Sequence, residues 1–584
     1  MTDIVSLRPA LAVLVSVVAI PLILASHGRP NLRELWTILA AVTKLGIVAS
    51  MVPAVLAGNA YVTDFGTFLP GIRFVLRADA LGLLFGLLAS LLWLVTSFYS
   101  IGYMRGLSEH AQTRYFAAFA ASLASAVGVA FAANLIVLFV FYELLTVATY
   151  PLVAHDETDE ARAAGRKYLA YTFGGGVAVF AGAVLVFWLT GTTTFAPGGI
   201  AALATADPTL ARAAFALLAA GFGVKAGLMP VHSWLPDAMV APTPVSGLLH
   251  AVAVVKSGVF GIARVVLEVF GPNLTGELGM GLPLAALAAF TLTAASVIAL
   301  RQDNLKRRLA FSTVSQLSYI VLGLAVGAVA AGTAGVSDRA VALALVGGLL
   351  HIPAHAFMKL TLFFCAGAIH VETHTDDISN MAGIGKRMPL TMGAFAVAAA
   401  GMAGIPLVAG FVSKYFLLVG AVSAGGTIFA AALLVSGVLN IAYFWPVVYT
   451  AFFESPGTAD RKPLLEGPPG GWFGRGNAAT DGGTAAGGDG GPRPDGGAPG
   501  EDPTDAHVEH GFADDHAGQD HLDEHEHGGD WDPRGWRGDE STWFMLAPIC
   551  FAAAGSVVLG IVPDAAVFLR IVRLVVSLVT GVSV

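Results

Sequence analysis

GGLLHIPAHAFMKLTLFF, residues Gly347–Phe364, is too apolar for the surface of a soluble protein, yet it carries His351, His355 and Lys359. Spaced i, i+4 and i+8, these three form one stripe on a helix, drifting by about 40° per step. Similar runs recur along the chain, each close to the roughly 20 residues that carry a helix across about 30 Å of hydrocarbon. Their apolarity is continuous rather than alternating, which excludes a closed barrel.

Composition agrees. The 584 residues are 56% hydrophobic and only 12% charged, with a mean hydropathy of +0.73, so bilayer is the solvent. The pattern predicts an all-α polytopic membrane protein with about fourteen transmembrane helices, near residues 8–26, 34–57, 79–103, 113–131, 134–153, 167–190, 210–229, 243–270, 280–300, 309–330, 340–369, 390–420, 426–453 and 543–562. The segment Asp564–Val584 follows Pro563 and reads as a further helix in or along the membrane, its Arg570 and Arg573 favouring the interface. The first apolar run lacks a preceding basic stretch and reads as a retained helix rather than a cleaved signal. Cys365 and Cys550 both lie in apolar runs without metal-ligand spacing, so no disulfide, cluster, haem or other cofactor is suggested.

The formal charge of −8 is unevenly placed. Glu454 to Glu540 holds 20 acidic against 6 basic residues, leaving 20 against 26 elsewhere. The short loops at one end of the helices carry Arg29, Arg33, Arg105, Arg114, Arg162, Arg166, Lys167, Arg301, Lys306, Arg307, Arg308, Lys386 and Arg387. Those at the other end carry only Arg8, Arg73, Arg77, Arg212, Arg339, Arg570 and Arg573. The positive-inside rule puts the first set in the cytoplasm of a prokaryotic cell and the N-terminus outside. The acidic tract is then cytoplasmic and, being rich in Gly, Pro and Asp, is expected to be disordered. His521, His525 and His527 within it read as part of a solvated acidic tail rather than a metal site. The excess acid hints at a salt-rich cytoplasm, and no nucleic-acid partner is expected.

An ionisable side chain at mid-bilayer costs about 2.5–3.5 kcal/mol, so each needs a partner, a watery cavity or a function. Glu143 sits in NLIVLFVFYELLTVATYPLV, and Lys225 in FALLAAGFGVKAGLMPVHSWLPDA. His250 and Lys256 share VSGLLHAVAVVKSGVF, while Lys414 lies in GIPLVAGFVSKYFLL. Imidazoles trade protons near neutrality, so a row of such groups is a candidate proton wire. Lys225 is the natural partner of Glu143; His250 and Lys256, six apart, point to different neighbours. Asp79, Arg264 and Arg301 lie near helix ends and read as interfacial anchors. Pro230 follows Lys225 by five residues and Pro406 precedes Lys414 by eight, so helices seven and twelve are expected to be broken. GFGVK (Gly221–Lys225) and GFVSK (Gly410–Lys414), five helices apart, suggest two inverted five-helix repeats.

These residues resemble the antiporter-like subunits shared by Mrp-type Na⁺/H⁺ antiporters, respiratory complex I and membrane-bound hydrogenases. The resemblance covers roughly residues 75–453. It rests on ADALGLLF (Ala78–Phe85), FYELLTVATYPL (Phe141–Leu152), KAGLMPVHSWLPDAMVAPTPVSGLLHAVAVVKSGVF (Lys225–Phe260), DNLKRRLAFSTVSQLSY (Asp303–Tyr319), HIPAHAFMK (His351–Lys359) and AGIPLVAGFVSKY (Ala403–Tyr415). It implies a core of two inverted five-helix repeats, with Glu143 and Lys225 paired in the first half-channel and His250 and Lys256 as the bridge. It further implies that His351, His355, Lys359 and Lys414 belong to the second half-channel. The domains are then residues 1–110 (three N-terminal helices), 111–270 and 271–453 (the two repeats), 454–541 (the acidic loop) and 542–584 (the C-terminal helix and terminal segment). Gly383–Leu418 looks most like the D-type member of Mrp antiporters, although the His-His-Lys stripe also suits the A-type member and its complex I counterpart. The implied function is proton translocation coupled to Na⁺ within a complex of other membrane subunits, or proton pumping in a redox complex. A third class, an inert membrane scaffold, sits poorly with so many buried charges.

Overall fold

A computed structural model describes residues 2–455 and 540–583; most of the acidic tract, including His521, His525 and His527, lies outside the described residues. Eleven helices among the described residues are long and apolar enough to cross a bilayer. Their outward faces are apolar, with Leu39, Val177, Phe180, Trp188, Ile428 and Val438 among the exposed side chains. Along the interior helices nearly everything is buried, most fully along Asp338–Thr373, a 36-residue helix that runs unbroken through Pro353.

The three other expected spans are interrupted. Near 210–229 the helix Pro208–Lys225 stops at the lysine and the chain turns before Trp234–Asp237. Near 390–420, Pro389–Ala403 ends on Gly404, whose φ of +89° closes the helix in the left-handed conformation. Pro406 cannot continue it, and Ala409–Ser423 starts afresh. Breaks in helices seven and twelve were expected; a third, between them, was not. The span near 243–270 is split into Thr243–Gly247, a π-turn over Leu248–Val252, Val254–Arg264 and a second π-turn over Val265–Val269. Only Pro242 and Pro244, both at its start, hint at this in the sequence.

The all-α expectation needs one addition. β1 (Thr2–Val5) pairs in parallel with β2 (Asn59–Leu69), which pairs antiparallel with β3 (Ile72–Ala78). This small sheet lies at the N-terminal end of the first helix. Windows of about 19 residues average over strands this short, which is why hydropathy passes over them.

The sheet leads into a cluster that corrects another expectation. Asp79 accepts from the Gly82 amide at 2.7 Å, capping the helix Ala80–Gly106. It also holds Arg264 in a two-pronged pair, Nη1 to Oδ2 at 2.8 Å and Nη2 to Oδ1 at 3.0 Å, and Arg264 pairs in addition with Glu268. Arg264 is fully buried, so neither it nor Asp79 is an interfacial anchor. The missing cue was Glu268 one helical turn on, which gives the buried guanidinium a second carboxylate. Arg301 is exposed, as expected. At the far end of the acidic tract Glu540 is buried, not solvated. Its carboxylate accepts from the Leu390 and Thr391 amides at 2.9 and 2.6 Å, capping the helix Pro389–Ala403 from 150 residues away.

Removing Arg264 while leaving its two carboxylates strands buried charge, which costs on the order of 3–5 kcal/mol. Arg264→Met should therefore lower the thermal midpoint of the purified protein clearly, whereas Arg301→Met should not. Equal midpoints for the two variants would refute the structural role given to the Asp79–Arg264–Glu268 cluster.

Candidate functional site, a buried polar row

In hydrocarbon every polar group must find its partner within the protein, so the environment of each buried charge shows how it is held. Lys225 Nζ donates to the Tyr142 carbonyl at 2.6 Å and sits 3.4 Å from the centre of the Tyr142 ring. Its position at the end of Pro208–Lys225 lets the side chain reach this neighbouring helix. Glu143, on the helix Leu135–Val153, lies close enough to feel its charge. The two make no ion pair within 4.0 Å among the described residues. The natural pair is thus electrostatic neighbours rather than a salt bridge, because Lys225 takes the backbone oxygen instead.

Glu143 occupies a hollow on the helix Asp159–Thr190. A Cβ placed on Gly176 would collide with Glu143 Oε1, so any larger residue there would make the carboxylate swing away from its present position. Neither carboxylate oxygen has a hydrogen-bond partner among the described residues.

Farther along the row, Lys256 Nζ donates to His355 Nδ1 at 2.6 Å. This joins the split helix to the long one. His250 does not bond Lys256; its ring packs on Phe363 with centroids 4.9 Å apart, and both ring nitrogens lack partners among the described residues. The π-turn over Leu248–Val252 sets His250 and Lys256 toward different neighbours, as their spacing suggested.

Along the stripe, His351 and His355 have ring centroids 6.1 Å apart. His351 donates from Nε2 to Gln316 Oε1 at 2.9 Å, and its Nδ1 lies in hydrogen-bond contact with the Ser413 hydroxyl at 2.8 Å. Gln316 continues to Asn440 at 3.1 Å. Lys359 turns elsewhere, donating to the Leu309 carbonyl at 2.7 Å and to Ser312. Lys414 donates to the Met402 carbonyl at 2.5 Å, spanning the break after Ala403, and its ammonium lies 4.7 Å from the Tyr319 ring centre. Tyr319 stacks on His351 at 5.4 Å. Carbonyl oxygens, an imidazole nitrogen, a hydroxyl and aromatic faces, not carboxylates, hold the lysines of the row.

Sequence reasoning missed Gln316, Ser413 and Asn440, whose polar groups are too ordinary to stand out. It also missed Lys44, fully buried in the helix Pro30–Ala49, donating to the Leu123 carbonyl at 3.1 Å and lying 4.7 Å from the Trp93 ring centre. Lys44 meets the same criterion as the others, a charge in mid-run, and should have been found.

The family described as NADH:quinone oxidoreductase/Mrp antiporter, TM, matches residues 132–440, which include every residue of this row. The chain belongs to this family. It is similar to NADH-quinone oxidoreductase subunit N of Desulforudis audaxviator, 35% identical over 68% of this chain and 76% of that protein. It is also similar to the A-type subunit of the Na(+)/H(+) antiporter of Alkalihalophilus pseudofirmus, 35% identical over 59% of this chain, and to the A/B-type subunit of a probable K(+)/H(+) antiporter of Rhizobium meliloti, 32% identical over 71%. The chain spans only about two-fifths of these two antiporter subunits, 42% and 40%. In fold it matches a chain of the Mrp complex from Dietzia sp. DQ12-45-1b, with a TM-score of 0.72 at 22% identity over 98% of this chain and 97% of that one. It also matches a chain of the membrane-bound sulfane sulfur reductase, an archaeal respiratory membrane complex, at 0.67 and 25% over 77% and 88%. The family member described here is thus an antiporter-like membrane subunit of the kind found in Mrp and complex I-like assemblies.

Because Gly176 makes the hollow for Glu143, one added methyl should act like loss of the acid. If Glu143 carries protons, Gly176→Ala and Glu143→Gln are both expected to reduce proton flux in vesicles at least tenfold, while the protein still folds and inserts. Wild-type flux in Gly176→Ala would show that the carboxylate need not occupy that hollow.

Proposed function

We propose that this chain is the proton-translocating subunit of a multisubunit cation/proton (Na⁺/H⁺) antiporter. One observation carries the reading: the Lys256–His355 bond, which lies between the Glu143–Lys225 neighbourhood and the His351–Ser413–Lys414 neighbourhood. Protonation of Glu143 weakens the hold of Lys225 on its proton, because the Coulomb attraction between them is lost. The proton then moves by way of Lys256 and His355 toward His351 and Lys414, with Lys359 and His250 as branches of the same row. Buried nitrogens without hydrogen-bond partners among the described residues, on His250 and at His355 Nε2, are the positions where ordered water bridges such rows. In this reading Na⁺ crosses within the assembly, other membrane subunits and lipid cover the exposed apolar faces, and the Lys/Arg-rich loops face the cytoplasm of the cell. A lysine at 414 and the likeness to named Na⁺/H⁺ antiporter subunits support it; those relatives are A-type, and the D-type subtype rests on the stretch Gly383–Leu418 alone.

A second reading has its own support in the 35% identity to a subunit N and the likeness to a respiratory complex. There the same row pumps protons and electron transfer belongs to other subunits. Membrane vesicles containing the assembled complex separate the two. The antiport reading expects added Na⁺ to collapse an imposed pH gradient, and Lys225→Ala and Lys256→Met to abolish the effect. A gradient that ignores Na⁺ but forms when a reduced electron donor is added selects the second reading. Full exchange in both variants would sink the proton row itself.

A further inference from the structure

Away from the buried row, two loops at the Lys/Arg-rich end bring together three metal-ligating side chains that share no role with it. Glu109 and His110 lie between the helices Ala80–Gly106 and Gln112–Phe131; His155 follows the Glu143 helix, Leu135–Val153. Their ligand atoms all fall within 4.8 Å of one another. His110 Nδ1 is 3.8 Å from Glu109 Oε2, and His155 Nε2 is 4.0 Å from the same oxygen. Around a tetrahedral ion with ligands at about 2.0–2.2 Å, neighbouring ligand atoms stand roughly 3.3 Å apart. Closing onto an ion therefore needs shifts of less than about 1 Å, well within side-chain freedom.

Two further details make this more than a chance meeting. His155 is completely buried, yet neither of its ring nitrogens has a hydrogen-bond partner among the described residues. A buried imidazole left so, facing a carboxylate, has its lone pair still to place. His110, in turn, donates from Nε2 to the His155 carbonyl at 3.0 Å. A carbonyl can only accept, so this bond puts a ring proton on Nε2, and in the neutral ring the Nδ1 lone pair then faces Glu109, the outer-shell arrangement that orients histidine ligands. Arg114 donates to the same carbonyl at 2.9 Å, fixing the loop, and its own charge is taken up by Glu157. Ser108, Ala111 and Glu157, all non-glycine residues with positive φ, flank the cluster, so both loops are held in uncommon conformations.

We propose that Glu109, His110 and His155 form a site for a divalent transition-metal ion of the zinc class, which staples the loop before Gln112–Phe131 to the end of the Glu143 helix. Two imidazoles and one carboxylate are a donor set that suits zinc, with a fourth position for water.

Zn²⁺ itself is the probe. The full-length protein, stripped with chelator in detergent, is equilibrated with ZnCl₂ over a concentration series, and bound zinc per chain is counted by elemental analysis after gel filtration. The double variant His110→Ala/His155→Ala and the milder Glu109→Gln are treated in the same way. Histidines of the acidic tract are common to all three proteins and cancel in the difference. Wild type should retain one more equivalent than the double variant, and Glu109→Gln should weaken that equivalent at least tenfold. Zinc should also raise the thermal midpoint of the wild type more than that of either variant. If the double variant does not fold, Glu109→Gln, whose side chain is partly exposed, decides alone. Retention of the full complement at unchanged affinity by either folded variant overturns the site.

Discussion

The bond from Lys256 Nζ to His355 Nδ1, 2.6 Å long, ties the split helix to the long helix Asp338–Thr373. An ammonium in hydrocarbon without a partner is costly by several kcal/mol, and water cannot freely make good the loss. The lysine must find a lone pair on a neighbouring helix, and His355 supplies it. Around this contact the same rule repeats. Lys225 reaches the Tyr142 carbonyl, Lys359 the Leu309 carbonyl, Lys414 the Met402 carbonyl and Lys44 the Leu123 carbonyl. Neutral acceptors let a lysine keep or release its proton without leaving a bare carboxylate behind, whereas a tight salt bridge would lock the charge in place.

Arg264 shows the contrast. It is clasped by Asp79 and Glu268, and a guanidinium does not release its proton in proteins. That cluster anchors the split helix next to the small sheet, while the lysines of the row are left in exchangeable contacts. Buried charges of the same sign are thus held in two different ways, and the difference lies in their partners.

Broken helices set where these partners can be. Lys225 ends one helix; Lys414 stands just beyond the break that follows Ala403; Lys256 follows a π-turn. Each irregularity turns a side chain or a carbonyl out of the regular ladder toward a neighbour. The long helix bearing His351, His355 and Lys359 stays continuous, its His355 meeting Lys256 and its His351 meeting Ser413, next to Lys414.

Much of this was legible from residue types alone. The membrane class, the spans and the breaks at Lys225 and Lys414 follow from apolar runs and prolines, because length and hydropathy are local properties. His351, His355, Lys359 and their companions stood out because charge in an apolar run is rare. What the sequence could not say was which lone pair each charge meets. Glu143 and Lys225 look like a salt bridge on paper, yet the lysine bonds a backbone oxygen, and backbone oxygens carry no signature. Arg264 looked interfacial until Asp79, 185 residues earlier, came to its side. Glu540 looked solvated until it capped a helix that starts at Pro389. Partners so far apart in the chain are chosen by packing, and only the tertiary structure decides them.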